Sequence, residues 1–378
     1  MKDTERPLKK IFELTQDEWD HPAERAAVRD NFRKVCACRT PALGGEVYAS
    51  TAGEKVFDHT CKSKCCPSCG NRATLQWLLE QAAALPDISF VGIVLTMPPG
   101  FWPVFKAHRH LQHDLPALGA AVLQQWAWNL YQVRLHIIVI QHTFGGRLNH
   151  FPHLHMMVSA GGLKSAEARW VEPLKFDRKQ IMTLWRFAVT SYLWKANRDG
   201  LLPQKSCLPE EFNELIHEEV QRDYWHVYLT RRMSKKHFLG YAGRYVRRLP
   251  IAQKNILKVT KNEVVYLAKD TRTKTLQEAR CTPAEFVALL SPHVLDRYRH
   301  SMRYFGLLAP RTKRLTSGAV FAFLGQHPRP KPPRQPWRDS VMQTFGVDPL
   351  IDEFGNPMHW VGRRQPVPVR AIPTAGRL

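Results

Sequence analysis

The chain has 378 residues, 44% of them hydrophobic, which is material for two or three domains with ordinary cores. Lys and Arg number 55 against 33 Asp and Glu, a formal charge of +22, and this excess points first to nucleic acid, because neutralised phosphates release their counterions. The start, "MKDTERPLKK", carries no apolar segment of the kind a secretory signal needs, and the best apolar run, "FVGIVLTM" from Phe90, is too short for a bilayer. The expectation is an intracellular, cytoplasmic protein without a membrane partner, whose eight cysteines stay reduced.

In chain order, residues 1 to about 35 predict charged helix ("LTQDEWDHPAERAAVRDNFRKV"), with Asp17 or Asp20 as caps. Residues 36 to about 72 look loop-like and hold six of the eight cysteines. "ATLQWLLEQAAAL" (73–85) is a helix stopped by Pro86. Between about 88 and 250, short β-rich runs ("ISFVGIVLTM", "RLHIIVI", "HLHMMVS") alternate with helical patterns such as "LPALGAAVLQQWAWNLYQ". That alternation predicts an α+β fold with an antiparallel sheet. Further on, "NEVVYLAKDTRT" reads as a hairpin, and "CTPAEFVALLSPHVL" as a helix opened by Thr282 with Pro283 at its first position. After Pro310 the chain turns Pro- and Arg-rich ("GQHPRPKPPRQPW"), and no internal repeat is present. The expected organisation is a helical, zinc-binding module over 1–85, the α+β domain over 86–250, an α/β extension over 251–310 and a partly disordered tail over 311–378.

"CKSKCCPSCG" gathers Cys61, Cys65, Cys66 and Cys69. The Cys66-Pro-Ser-Cys69 turn aims two thiolates at one point, and tetrahedral zinc needs four such ligands. The expected structural set is Cys61, Cys65, Cys66 and Cys69, with Cys36, Cys38 and His59 as further donors. A redox role is disfavoured because no βαβ unit surrounds the pair.

In "HFPHLHMMVSAGG" (from His150), His153 and His155 stand two apart, so on a strand both imidazoles leave the same face. Alone, such a pair reads more readily as two hydrogen-bonded histidines on a half-buried strand than as a metal site. In "HFLGYAGRYVRRLP" (from His237), Tyr241 and Tyr245 stand four apart, one helical turn, accompanied by Arg244, Arg247 and Arg248 with Lys235 and Lys236 upstream. Together the features suit one chemistry. A divalent cation, Mg²⁺ or Mn²⁺, held by the histidines draws charge from a phosphate, tyrosine attacks it, and the basic residues bind the DNA.

At these residues the sequence resembles the two-tyrosine rolling-circle transposases of the insertion sequence 91 family, within the HUH (histidine–hydrophobe–histidine) superfamily. The stretches that carry the resemblance follow in order: "CRTPALGGEVY" (Cys38 to Tyr48), "CKSKCCPSCG", "QHTFGGRLNHFPHLHMMVSAGGL" (Gln141 to Leu163), "YAGRYVRR" (Tyr241 to Arg248) and "RYFGLLA" (Arg303 to Ala309). The resemblance implies a zinc module followed by an HUH endonuclease domain whose central antiparallel sheet, flanked by helices, carries the histidines. It assigns His153 and His155 to the metal and Tyr241 and Tyr245 to nucleophilic attack. The implied substrate is single-stranded DNA at transposon ends and target DNA, nicked and joined through a 5′-phosphotyrosine. Gln141 is expected as the third metal ligand, with His150 behind it. The chain departs from the family where a CxxC commonly follows Val-Tyr, since Ser50 and Gly53 stand there, and at Phe151, where His is frequent.

Other readings are a plasmid or phage replication initiator with the same chemistry, and a non-catalytic zinc DNA-binding protein. "WHVYL" (Trp225 to Leu229) offers stacking platforms for unpaired bases as an alternative to core packing. "GGRLN" lacks the Lys and helix start of a phosphate loop.

Overall fold

The computed structural model describes residues 6–202, 209–247, 249–270, 273 and 275–367. Arg248, expected among the DNA-binding residues, lies outside them. The chain divides into two compact units, one formed by Met1–Trp77, Arg247–Asp296 and Pro333–Leu378, the other by Leu78–Val246 and Arg297–Pro332. Among the described residues no helix is long and apolar enough to cross a membrane.

The first unit opens with helices Pro7–Leu14, Gln16–Trp19 and Ala26–Ala37. Phe12 stacks on Phe32 with ring centroids 3.9 Å apart, and Trp19, packed edge-on against Phe32, donates its indole N–H to the Phe12 carbonyl. Neither Asp17 nor Asp20 serves as a side-chain cap; Asp20 pairs with Arg33 instead. The region expected as loop contains a hairpin, Gly45–Ser50 with Gly53–Asp58. Its third strand is His359–Arg364, which pairs antiparallel with Gly45–Ser50. Residues expected as a tail are thus built into regular structure: this strand and helix Trp337–Phe345 belong to the first unit, and helix Pro310–Phe323 to the second. A second antiparallel sheet joins Ile256–Val259, Val264–Lys269 and Leu276–Cys281. Helix Pro283–Leu290 follows, opened as the sequence predicts: Glu285 N–H donates to the Thr282 hydroxyl while Thr282 N–H donates to the Glu285 carboxylate.

The second unit is an α+β layer structure around an antiparallel sheet. Across it run Met302–Gly306, His136–Phe144, His150–Ser159, Ser89–Leu95 and Val227–Leu229, and Met233–Ser234 also pairs with Ser89–Leu95. One face carries Val91, Ile93, Leu95, Ile137, Val139, Leu154, Met156 and Val158. These pack against helices Leu115–Tyr131, Arg178–Arg198 and Pro209–Gln221. The period-two alternation sends Phe90, Gly92, Val94, His142, His153 and His155 to the opposite face. Helix Lys235–Gly243 lies on that face, with Phe238 stacked on Phe90 at 4.0 Å.

Candidate active site and metal centres

In the first unit, Cys38 follows helix Ala26–Ala37, Cys61 follows the hairpin, and Cys66 and Cys69 flank the first turn of helix Pro67–Ala84. The structure brings these four together, with Sγ–Sγ distances of 3.9 Å for Cys38–Cys69, 3.7 Å for Cys61–Cys69 and 3.7 Å for Cys66–Cys38. Four sulfurs at about 2.3 Å from a tetrahedral zinc stand about 3.8 Å from one another, so the donor set fits that ion. The Cys61 and Ser63 amides donate to the sulfurs of Cys38 and Cys61, each at 3.4 Å, and such bonds favour thiolate. The mutual hydrogen bonds of the four thiols hold Cys69 and Cys38 below the usual thiol range and push Cys61 and Cys66 above it.

Cys65, expected in the set, stands outside it, and Cys38 takes the fourth place. Consecutive side chains entering a helix diverge, whereas residues three apart across its first turn converge, so Cys66 and Cys69 share a target that Cys65 cannot reach. Burial pushes the Cys65 thiol up to about 11 and the Cys36 thiol up to about 12. The His59 ring is engaged by the Leu43 carbonyl and the Glu46 carboxylate.

In the second unit three imidazoles converge: His142, His153 and His155, all buried, each offering a ring nitrogen within 4.8 Å of the others. His142 pairs directly with His153 across adjacent strands, and His155 lies two residues further along. His153 and His155 have their Nε2 atoms 3.1 Å apart. Two nitrogens at right angles about 2.1 Å from one ion are about 3.0 Å apart, so the pair fits neighbouring positions on a cation. His153 Nδ1 donates to the Phe151 carbonyl at 2.8 Å and His142 Nε2 to the Tyr245 carbonyl at 3.0 Å. Those carbonyls fix each tautomer and leave the other nitrogen as a lone-pair donor, the usual support of a metal-binding histidine.

Gln141, expected as the third ligand, is displaced from that role by its neighbour. It pairs with Leu154, on the face that meets the helices, and its amide donates to the Gln112 carbonyl at 2.7 Å. A one-residue shift in a strand exchanges the faces, and His142 is the residue that faces the pair. His150 contacts Gln112 and is not part of the trio.

Both tyrosines reach this face. The Tyr245 ring stacks on His155 with centroids 3.8 Å apart, and the Tyr241 ring lies 5.0 Å from that of Tyr245. Tyr241 is on helix Lys235–Gly243, whereas Tyr245 lies in the turn beyond, its amide donating to the Ala242 carbonyl. Gly92 makes room for Tyr241: a Cβ there would lie 2.9 Å from the ring. Burial, then the neighbouring Tyr245, raises the Tyr241 hydroxyl above the usual phenol range, and the Arg244 guanidinium works against them. Arg244 sits 4.9 Å from the Tyr241 ring centre and 5.9 Å from that of Tyr245.

The remaining basic residues separate. Lys236 is exposed. Lys235, expected to bind DNA, is committed elsewhere: its ammonium donates to the Ala82 and Leu85 carbonyls and pairs with Asp87 at 2.5 Å. A lysine satisfying the last carbonyls of a helix has its donors spent. Arg247 is exposed and belongs to the first unit, where its carbonyl approaches Gly70.

Comparison with known proteins adds independent findings. A family described as "Putative transposase" matches residues 137–315, and one described as "Transposase zinc-binding domain" matches residues 11–97. The transposase for insertion sequence element IS801 of Pseudomonas savastanoi pv. phaseolicola is 31% identical over 326 residues, covering 82% of this chain and 77% of that protein. Putative transposase y4qJ of Sinorhizobium fredii is 26% identical over 344 residues, 86% of each chain. No solved structure matches. With a zinc-binding module, a second matched segment that spans the histidines and tyrosines, and a relative this similar over most of its length, the chain belongs to the insertion sequence 91 family of transposases.

Proposed function

We propose that this transposase nicks and rejoins single-stranded DNA through a 5′-phosphotyrosine, as in rolling-circle transposition. The observation that carries the proposal is the Tyr245 ring stacked at 3.8 Å on His155, itself one of three converging imidazoles. No other arrangement among the described residues offers paired hydroxyl nucleophiles beside a set of histidine ligands.

His142, His153 and His155 would hold a divalent ion, magnesium or manganese, which when bound withdraws charge from the scissile phosphate and orients it. A tyrosine Oη attacks phosphorus and the bond to O3′ breaks. The phenol proton is lost and the departing oxygen gains one, leaving a 3′-hydroxyl and an ester on the 5′ phosphate. A second 3′-hydroxyl can reverse the exchange, which conserves the bond and joins strands. Two tyrosines permit two such exchanges. Arg244, above both rings, neutralises charge on the phosphoryl oxygens and lowers the cost of ionising Tyr241. Cys38, Cys61, Cys66 and Cys69 would hold structural zinc.

The test is a labelled single-stranded oligonucleotide bearing an element end, incubated with Mg²⁺ or Mn²⁺ and run on a denaturing gel. A protein–DNA adduct that requires metal and disappears in the Tyr241→Phe/Tyr245→Phe protein is expected. Cleavage that persists unchanged in the double variant refutes the mechanism.

A further inference from the structure

The edge strand of the catalytic sheet shows a second aromatic feature. From Tyr224 to Tyr228 burial alternates strictly, with Tyr224, His226 and Tyr228 exposed and Trp225 and Val227 buried. The inner pair is anchored: Trp225 packs edge-on against Phe101 and donates its indole N–H to the Glu219 carbonyl, and Val227 joins the core beneath the helices. With those side chains fixed, the outer three are held on the opposite face.

That face is the one carrying the histidines. Tyr228 pairs with Val94, and Val94 pairs on its other side with His155, so the three lie in one row across the sheet. Two strand spacings put the Tyr228 backbone about 10 Å from that of His155. The Thr96 amide and hydroxyl both donate to the His226 carbonyl, which carries the ladder past the last paired residue of the strand. Tyr228, on the strand, and Tyr224, in the extended segment that leads into it, are 52% and 51% exposed, an unusual outlay for large rings beside a packed sheet. Arg231 and Arg232, both exposed, continue the chain beyond them, and Arg244 stands over the tyrosines of the site.

We propose that Tyr224, His226 and Tyr228 form a stacking track for consecutive unpaired bases of the DNA strand whose phosphate enters the site. Alternate residues of an extended segment stand about 6.8 Å apart, and the Tyr224 and His226 rings lie 6.4 Å apart and edge-on to each other, close to the span of one extended nucleotide, so the three rings suit three successive bases that turn relative to one another. Stacking is tolerant of sequence and accepts only bases that have left the duplex, so the track selects single strands before chemistry begins. The proposal rests on single-stranded DNA being the substrate, and its test is kept separate from catalysis.

Binding is measured by fluorescence anisotropy with a labelled oligothymidylate of about 12 nucleotides, using full-length protein that carries Tyr241→Phe and Tyr245→Phe. Tyr228→Ala is expected to weaken binding about 5- to 150-fold, while Tyr228→Phe, which keeps a ring face, stays within about twofold. Phe187→Ala, which removes an exposed ring from helix Arg178–Arg198 on the other layer, should leave affinity unchanged. The slope of log affinity against log salt should be the same in Tyr228→Ala, because no phosphate contact is removed. Full binding by Tyr228→Ala, an equal loss in Phe187→Ala, or no binding by the parent protein would overturn the proposal. An adduct assay on protein with both tyrosines reports separately on the reaction, so loss of one reading does not carry the other.

Discussion

Replacing Gly92 by Ala tests whether the sheet sets the position from which Tyr241 attacks. The added methyl would lie 2.9 Å from Tyr241 Cε1 and 3.1 Å from Cζ, with Thr230 Cγ2 at 3.0 Å on another side. It cannot swing away, because the Gly92 amide donates to the Thr230 hydroxyl and the backbone is held in the ladder. Ordinary carbon contact requires the ring to retreat by about 0.5–1 Å. Overpacking of this kind costs about 1–3 kcal/mol of stability, which leaves most domains folded. The effect on chemistry is larger, because a misplacement of about 1 Å can cost about 100-fold in rate. Adduct formation would be timed in a Tyr245→Phe protein, where Tyr241 alone attacks, with and without Gly92→Ala. A fall of about 10- to 100-fold is expected. The same substitution beside Tyr241→Phe should change little, since Tyr245 rests on His155 rather than on Gly92. An unchanged rate for Tyr241 would show that its ring is not seated by the sheet when it reacts, and the geometric argument would fail.

Cys38→Ser should abolish stoichiometric zinc as measured by elemental analysis, whereas Cys65→Ser should retain it; the reverse result would restore Cys65 to the ligand set. His142→Ala should remove metal-dependent cleavage, while Gln141→Leu, which deletes a hydrogen bond to Gln112, should lower stability by about 1 kcal/mol in chemical unfolding and keep the metal response. Three imidazoles also favour manganese over magnesium, so cleavage should reach half-maximum at a lower concentration of Mn²⁺, and equal requirements would count against a three-histidine site. In the Tyr245→Phe protein the rate should climb about tenfold per pH unit up to and past about pH 10. The sign follows from burial, which raises the Tyr241 hydroxyl above its ordinary range, so the neutral phenol predominates and the reactive phenolate grows with pH. A plateau near neutrality would contradict that account.

The local features of this chain were legible because their physics is local. The two-residue spacing of His153 and His155 fixes a shared face, and Thr282 with Glu285 reproduces a helix start that any reader of the sequence would draw. Features that depend on pairing between distant segments were not. Choosing between Gln141 and His142 requires the register of a hairpin that is interrupted by an irregularity between His142 and Phe144, and one residue of slip reverses the answer. Choosing Cys38 over Cys65 requires knowing that the end of helix Ala26–Ala37 returns to the knuckle. Lys235 looked available because the helix end it caps lies about 150 residues earlier in the sequence. The segment beyond Pro310 looked like tail because its partner strand, Gly45–Ser50, begins the other end of the chain, and the Pro-rich composition describes only the stretch between its helices.

That pairing has a consequence during synthesis. Translation delivers the chain from its amino end, and everything in the second unit has been made once Pro332 is added. The hairpin Gly45–Ser50 with Gly53–Asp58 must wait for His359–Arg364, and two strands alone are marginal in water. A ribosome that stops or shifts frame between those points would release a protein with its histidines and tyrosines in place and the sheet beside its cysteines unfinished. Decay of such a gene from its 3′ end would therefore strip one module before the other, although that module's cysteines are encoded near its beginning.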